Sequence, residues 1–149
     1  MIVARDIMSK KVISIESTVS ATEIAKLMDR NKVSCIVLTK NEKPYGMITE
    51  RDLLTKITAL NKKSSELNAN EIMTSPITTV SSMTPVEEVA EKMILNKMRR
   101  VIVSDNEQPV GIITVTDFAK HLNTIISGSE NYNKEVYDNL FDEYKYLNG

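Results

Sequence analysis

Two residues three apart, Thr49 and Asp52, recur 65 residues further on as Thr114 and Asp117. Each pair closes the same frame, "GMITERD" from Gly46 and "GIITVTD" from Gly111. A threonine with an acid at the third following position starts a helix. Its hydroxyl accepts from a first-turn amide, and the acid answers the cap amide. The same placement could also serve a bound molecule. An ionised carboxylate accepts the two hydrogen bonds that a pair of neighbouring hydroxyls can donate. Free N–H groups at a helix start favour an anion such as phosphate. Aspartate is shorter than the usual capping glutamate, so these acids are expected to point out from the helix start. Gly46 and Gly111 are expected at strand starts, where a missing side chain leaves room for a turn or a close approach.

Other chemistry is harder to write. Cys35 is the only cysteine and His121 the only histidine. A disulfide within the chain is excluded, and so is a zinc site built from Cys and His. A Ser-His-Asp relay would rest on His121, in "DFAKHLNTI", which reads as an exposed helix turn without a placed nucleophile. The phosphate loop GxxxxGK[ST] is absent. These exclusions argue against an enzyme. Arg99 and Arg100 stand side by side, suited either to solvent or to holding phosphate through paired N–H donors.

The net charge is −1, with five acids after Ser129 against two lysines, so the rest of the chain is nearly neutral. That balance argues against nucleic acid. No apolar run approaches the ~18 residues that span a bilayer. The opening "MIVARDIMSK" is too short in apolar residues for a signal peptide. A cytoplasmic protein without a membrane partner is expected.

Shifting the chain by 65 lays residues 4–57 on residues 69–122 without a gap. "ARDIM" falls on "ANEIM", "RNKVSCIVL" on "LNKMRRVIV", and "NEKPYGMITERDL" on "NEQPVGIITVTDF". Two tandem copies of one unit follow. Each copy reads as strand, helix, strand, strand, helix, an α/β (α+β) fold. "VISIE" and "ITTV" alternate as short strands do, and "SCIVL" and "RVIVS" suit buried strands. "TPVEEVAEKMILNK" suggests Thr84 as N-cap with Pro85 at the first helical position. In the first copy Ser20 with Glu23 places the helix start one residue later. "ERDLLTKITAL" and "VTDFAKHLNTI" read as helices.

The divisions expected are residues 1–61 for the first repeat, 62–68 for a polar linker, 69–124 for the second repeat and 125–149 for a tail. Neither repeat carries enough apolar surface to stand comfortably alone, so a pseudo-twofold pair is expected. In the tail, Val136, Tyr137, Leu140, Phe141, Tyr144 and Leu147 form the stripe of an amphipathic helix. That stripe suits docking on its own domain, or a homodimer or partner contact.

In this order and duplicated, "IMSKKVISI", "MDRNKVSCIVLTKNEKPYGMITERDL", "IMTSPITTV" and "MILNKMRRVIVSDNEQPVGIITVTDF" resemble the CBS-domain family, named for cystathionine beta-synthase. The resemblance covers about residues 3–124. It implies two units packed as a flat pair with two clefts that commonly take AMP, ADP, ATP or S-adenosylmethionine. It also implies a regulatory role rather than catalysis, with no cofactor beyond the sensed nucleotide. In one cleft Asp52 would hold ribose and Thr49 a phosphate or sugar oxygen. Met47, Thr78 and Met98 would lie against adenine there, with Arg99 and Arg100 on phosphate and Arg51 adding charge. In the other, Asp117 and Thr114 take those roles, with Thr116 at the position of Arg51. Ile13, Val33 and Ile112 would face that adenine, and Ser34 and Cys35 would replace the arginines.

The expectation is a stand-alone sensor of an adenosine-containing ligand that acts on a regulated protein. The alternative is an interaction or nucleic-acid adaptor that uses the tail and leaves the clefts vestigial.

Overall fold

The repeated dipeptide Asn-Glu turns two hairpins. In the computed structural model, Asn41 and Glu42 have φ of 54° and 66°, and Asn106 and Glu107 have φ of 50° and 63°. Two consecutive residues at positive φ form the tight turn whose twist matches a hairpin. The turns join β2 (Cys35–Lys40) to β3 (Lys43–Thr49) and β5 (Arg100–Asp105) to β6 (Gln108–Thr114). A third strand joins each hairpin, β1 (Ser14–Glu16) parallel to β2 and β4 (Thr79–Val80) parallel to β5. Parallel neighbours need a crossover, which α2 (Ala21–Asn31) and α5 (Val86–Leu95) supply. The fold is mixed, with two three-stranded sheets among the described residues. Those are residues 1–148 for the backbone, with side chains described through Asp142.

The crossover helices show how the sequence sets their ends. The Ser20 hydroxyl accepts from Glu23 N at 3.2 Å and caps α2, and Lys32 ends it at a left-handed φ of 55°. Ala21, Ile24 and Met28 bury the face spaced three and four residues apart. In the second copy the helix starts at Val86 with Pro85 as N-cap, not at Pro85 with Thr84 as cap. Pro85 stands 65 residues after Ser20, so both copies begin at the same place. Pro85 has no side chain to accept a bond, and its backbone pairs with Val3 instead.

Two compact units divide the chain, and their bounds differ from those of the repeats. One comprises Val12–Ile77 with Glu107–Pro109; the other comprises Met1–Lys11, Thr78–Asn106 and Val110–Gly149. The short helix α1 (Ala4–Ile7) thus belongs with the second repeat, and α4 (Ala69–Ile72) with the first. Isolated backbone pairs fix the exchange. Val3 pairs with Pro85 and Ser9 with Ile112, while Asn68 pairs with Ser20 and Thr74 with Met47. Each pair maps onto its twin under the 65-residue shift.

This exchange explains the glycines, which lie within β3 and β6 rather than at strand starts. A Cβ on Gly46 would stand 2.6 Å from Met73 Sδ and 3.0 Å from the Thr74 carbonyl oxygen. On Gly111 it would meet Met8 and the Ser9 carbonyl oxygen in the same way. Glycine is there so that the neighbouring segment can approach.

In the first unit, Ile24, Met28, Ile36, Leu38, Ile48 and Ile57 close the core. In the second, Val89, Met93, Val101, Ile113 and Phe118 are joined by the tail. Helix α3 (Glu50–Leu53) continues into a π-helical segment, Leu54–Thr58. Its counterpart runs as α6 (Val115–Lys120) and α7 (Leu122–Gly128), with half-buried His121 between them. The expected linker holds a 3-10 turn, Ser64–Glu66, and Ser64 bonds Thr22 at 2.6 Å.

The tail helix α8 (Lys134–Asn148) docks on its own unit. Tyr137 and Leu140 are buried, Val136 and Phe141 partly so. The Tyr137 ring lies 6.1 Å from Phe118 and stacks on Tyr132 at 5.2 Å. Burial pushes the Tyr137 hydroxyl up to about 12. The Tyr144 and Leu147 side chains lie outside the described residues.

Candidate functional site

Strand register carries each Thr–Asp frame to its place. Cys35 opposes Thr49 across β2 and β3, so the helix start leaves the sheet beside the first residue of β2. Glu50 N then donates to the Ser34 carbonyl at 3.0 Å. In the second unit Val115 N donates to the Arg99 carbonyl at 3.2 Å, the same bond 65 residues on. Ser34 and Arg99 therefore hold the two helix starts through their backbones, whatever their side chains do.

Both aspartates reach back to the cap. Asp52 Oδ2 accepts from Thr49 N at 2.9 Å and from the Thr49 hydroxyl at 3.2 Å. The Thr49 hydroxyl in turn accepts from Asp52 N at 3.3 Å. Asp117 Oδ2 accepts from Thr114 N at 2.8 Å and from the Thr114 hydroxyl at 3.2 Å. The expectation that a short acid would point outward needs correction, since both acids are long enough to reach their cap amides. One oxygen is committed to the cap, and Oδ1 is the atom left for another donor. For Asp52 that donor is Lys56, whose Nζ stands 3.1 Å from Oδ1. Lys56 was not singled out from the sequence, although an acid four residues before a lysine on a helix is a recognisable ion-pair spacing.

The remaining candidates divide between the units. Met47, Thr49, Arg51 and Asp52 share the first unit, while Thr78, Met98, Arg99 and Arg100 lie in the second. Of the other set, Ile112, Thr114, Thr116 and Asp117 lie in the second unit, and Ile13, Val33, Ser34 and Cys35 in the first. What the structure fixes is the geometry within each half. Met47 is buried, its backbone paired with Thr74 and its sulfur 3.9 Å from the Cys35 thiol. Ser34, Arg51 and Thr116 are exposed. Ile13, Val33, Thr78, Met98, Arg99, Arg100 and Ile112 are half-buried, which for two adjacent arginines is more than solvation alone requires.

A groove of about 500 Å³ runs between α2 and α3 and takes in Val33, Ser34 and Glu50, without Asp52. Among the described residues, no three His, Cys, Asp or Glu side chains are grouped to hold a metal. No described helix is long and apolar enough to cross a membrane.

Comparison with known proteins agrees with the duplication. The model of the CBS domain matches twice, over residues 4–59 and 69–124. An uncharacterized protein of Methanopyrus kandleri is 31% identical over 137 residues, 91% of this chain and 70% of that one. A CBS domain protein from Pyrobaculum aerophilum, solved with AMP, superposes with a TM-score of 0.73 at 28% identity, covering 85% of this chain and 99% of that one. A CBS domain pair solved with 5'-methylthioadenosine and S-adenosyl-L-methionine gives a TM-score of 0.72 at 31% identity, covering 83% and 98%.

Proposed function

The chain belongs to the CBS-domain family, and we propose that it is a regulatory module sensing an adenosine-containing ligand. AMP, ADP or ATP is favoured over S-adenosylmethionine. The observation that carries this reading is the duplicated carboxylate, anchored to its own helix cap through Oδ2, with Oδ1 outside the cap and met on Asp52 by Lys56. A ribose presents two hydroxyl donors on neighbouring carbons. The relatives solved with AMP and with methylthioadenosine and S-adenosylmethionine support the ligand class.

In this reading each site combines residues of both repeats, the ribose acid with its threonine and near neighbours from one and the further contacts from the other. Asp52 and Thr49 work with Thr78, Met98, Arg99 and Arg100, with Met47 and Arg51 beside them. Asp117, Thr114 and Thr116 work with Ile13, Val33, Ser34, Cys35 and Ile112. The arginines bias the Asp52 site toward phosphate, and neutral Ser34 and Cys35 leave the Asp117 site nearer to nucleoside recognition. The protein acts in the cytoplasm on a regulated partner and performs no catalysis. An adaptor that works through α8 is disfavoured, because the described apolar residues of α8 are taken up by its own unit.

Calorimetric titration of the purified chain with AMP, ADP, ATP, S-adenosylmethionine and adenosine tests the reading. A charge-assisted hydrogen bond is worth about 1.5–3 kcal/mol, so Arg99→Ala or Arg100→Ala should weaken AMP roughly tenfold or more. Adenosine should change little. Equal losses for AMP and adenosine would mean that the arginines hold the fold, not a phosphate.

A further inference from the structure

The two Thr–Asp frames are twins in sequence, yet the chain completes them differently. An ionised carboxylate offers about four acceptor positions. In both frames Oδ2 uses its two on the Thr amide and hydroxyl. On Asp52, Oδ1 is also engaged by the Lys56 ammonium at 3.1 Å. On Asp117 no described residue stands within ion-pair distance. The residue 65 positions after Lys56 is His121, which caps the end of α6.

Local backbone places the lysine. Leu54–Thr58 is π-helical, a widened turn that often marks functional positions, whereas the matching stretch breaks between α6 and α7. Lys56 is held at a second point as well, donating to the Ile72 carbonyl at 2.8 Å. Ile72 ends α4 and leads into Thr74, which pairs with Met47 on β3. The ammonium thus ties the Asp52 carboxylate to the segment exchanged from the second repeat. The Asp52 side chain is 13% exposed and that of Lys56 39%.

We propose that Lys56 determines ligand preference at Asp52 by competing with the ribose. It neutralises the carboxylate and holds one of the two positions on Oδ1, so a vicinal diol must displace it to bind both. Asp117 offers both positions at once and is the stronger nucleoside acceptor. This inference rests on the reading of Asp52 and Asp117 as ribose acids.

The test uses the full chain with Asp117→Ala, so that only the Asp52 site is read. Adenosine and 2'-deoxyadenosine are titrated by calorimetry into this parent and into versions that add Lys56→Met or Lys56→Gln. The glutamine keeps a donor for the Ile72 carbonyl, and circular dichroism confirms folding. A partly exposed ion pair of this kind holds back binding by about two- to fivefold. Both substitutions should therefore tighten adenosine by that factor. Deoxyadenosine, lacking one hydroxyl, should bind the parent more weakly and gain less. If the parent prefers adenosine but neither substitution tightens it, Lys56 is not a competitor and the inference falls while the ribose reading stands. If the Lys56-substituted versions bind the two nucleosides equally, or bind neither, the ribose reading of Asp52 fails and the inference with it.

Discussion

Replacing Gly46 by alanine probes whether the segment exchange is what requires glycine. In an ordinary strand the change should stabilise by about 0.5–1 kcal/mol, because glycine gives up more conformational freedom on folding. Here the new Cβ would stand 2.6 Å from Met73 Sδ and 3.0 Å from the Thr74 carbonyl oxygen. The thioether can swing aside. The carbonyl cannot move so freely, since it accepts from Met47 N at 3.0 Å while Thr74 N donates to Met47 O at 2.9 Å. Overpacking of this kind costs about 1–3 kcal/mol. Loss of one of the paired bonds adds about 0.5–1.5 kcal/mol. Net of the entropic gain, Gly46→Ala should destabilise by about 1–3 kcal/mol. Urea denaturation followed by circular dichroism measures it, with a midpoint drop on the order of 1 M at unchanged slope. Gly46→Ala combined with Met73→Ala should recover only part of the loss contributed by the clash, because the carbonyl contact remains. A Gly46→Ala protein as stable as wild type, or more so, would refute the packing account of the repeated glycine.

Two further outcomes concern the tail and the assembly. Burial pushes the Tyr137 hydroxyl up to about 12 in the folded chain, against an ordinary value of 10.0. Its raised value means a contribution fully present below pH 10 and lost as pH rises toward 12. The total is about 3 kcal/mol, and Tyr137→Phe should remove that part of the alkaline loss; an unchanged alkaline slope would contradict it. The protein should also form a homodimer, since closed twofold pairs are the commonest assemblies and Leu54 and Leu60 are 61% and 58% exposed. Light scattering should return twice the 16.8 kDa chain mass; a monomer at high concentration would contradict it.

Much of this molecule could be read from its residues because the chain states its plan twice. The duplicated Asn-Glu turn, the apolar strands and the Thr–Asp caps each had a twin to check against, and the mixed fold followed. The short α1 and α4 were not foreseen, since "ARDIM" and "ANEIM" are too brief for a periodicity to show. Their exchange between repeats also escaped, because a ladder contact such as Ser9 with Ile112 leaves no local pattern. A trace was present nonetheless: Met8 and Met73 repeat at the spacing of Gly46 and Gly111, the residues whose missing side chains they approach. Thr84 looked like a cap because its hydroxyl stands just before a proline, but Pro85 itself is the N-cap, paired with Val3, and the helix starts one residue later. At the candidate site the aspartates and threonines stand as expected at helix starts. Lys56 could have been found from its spacing of four after Asp52, but the Thr–Asp frame accounted for that acid as a cap, and the division of its two oxygens between cap and lysine shows only in the structure.

The central claim is that Asp52 and Asp117 hold the ribose of an adenosine ligand. Calorimetric titration of AMP into wild type, Asp52→Asn, Asp117→Asn and the double variant tests it most directly. Asparagine keeps the size and an acceptor for the cap while removing the charge. Each single variant should lose one class of site and the double variant should lose AMP binding, with thermal denaturation confirming that all remain folded. A double variant that binds AMP as tightly as wild type would contradict the account.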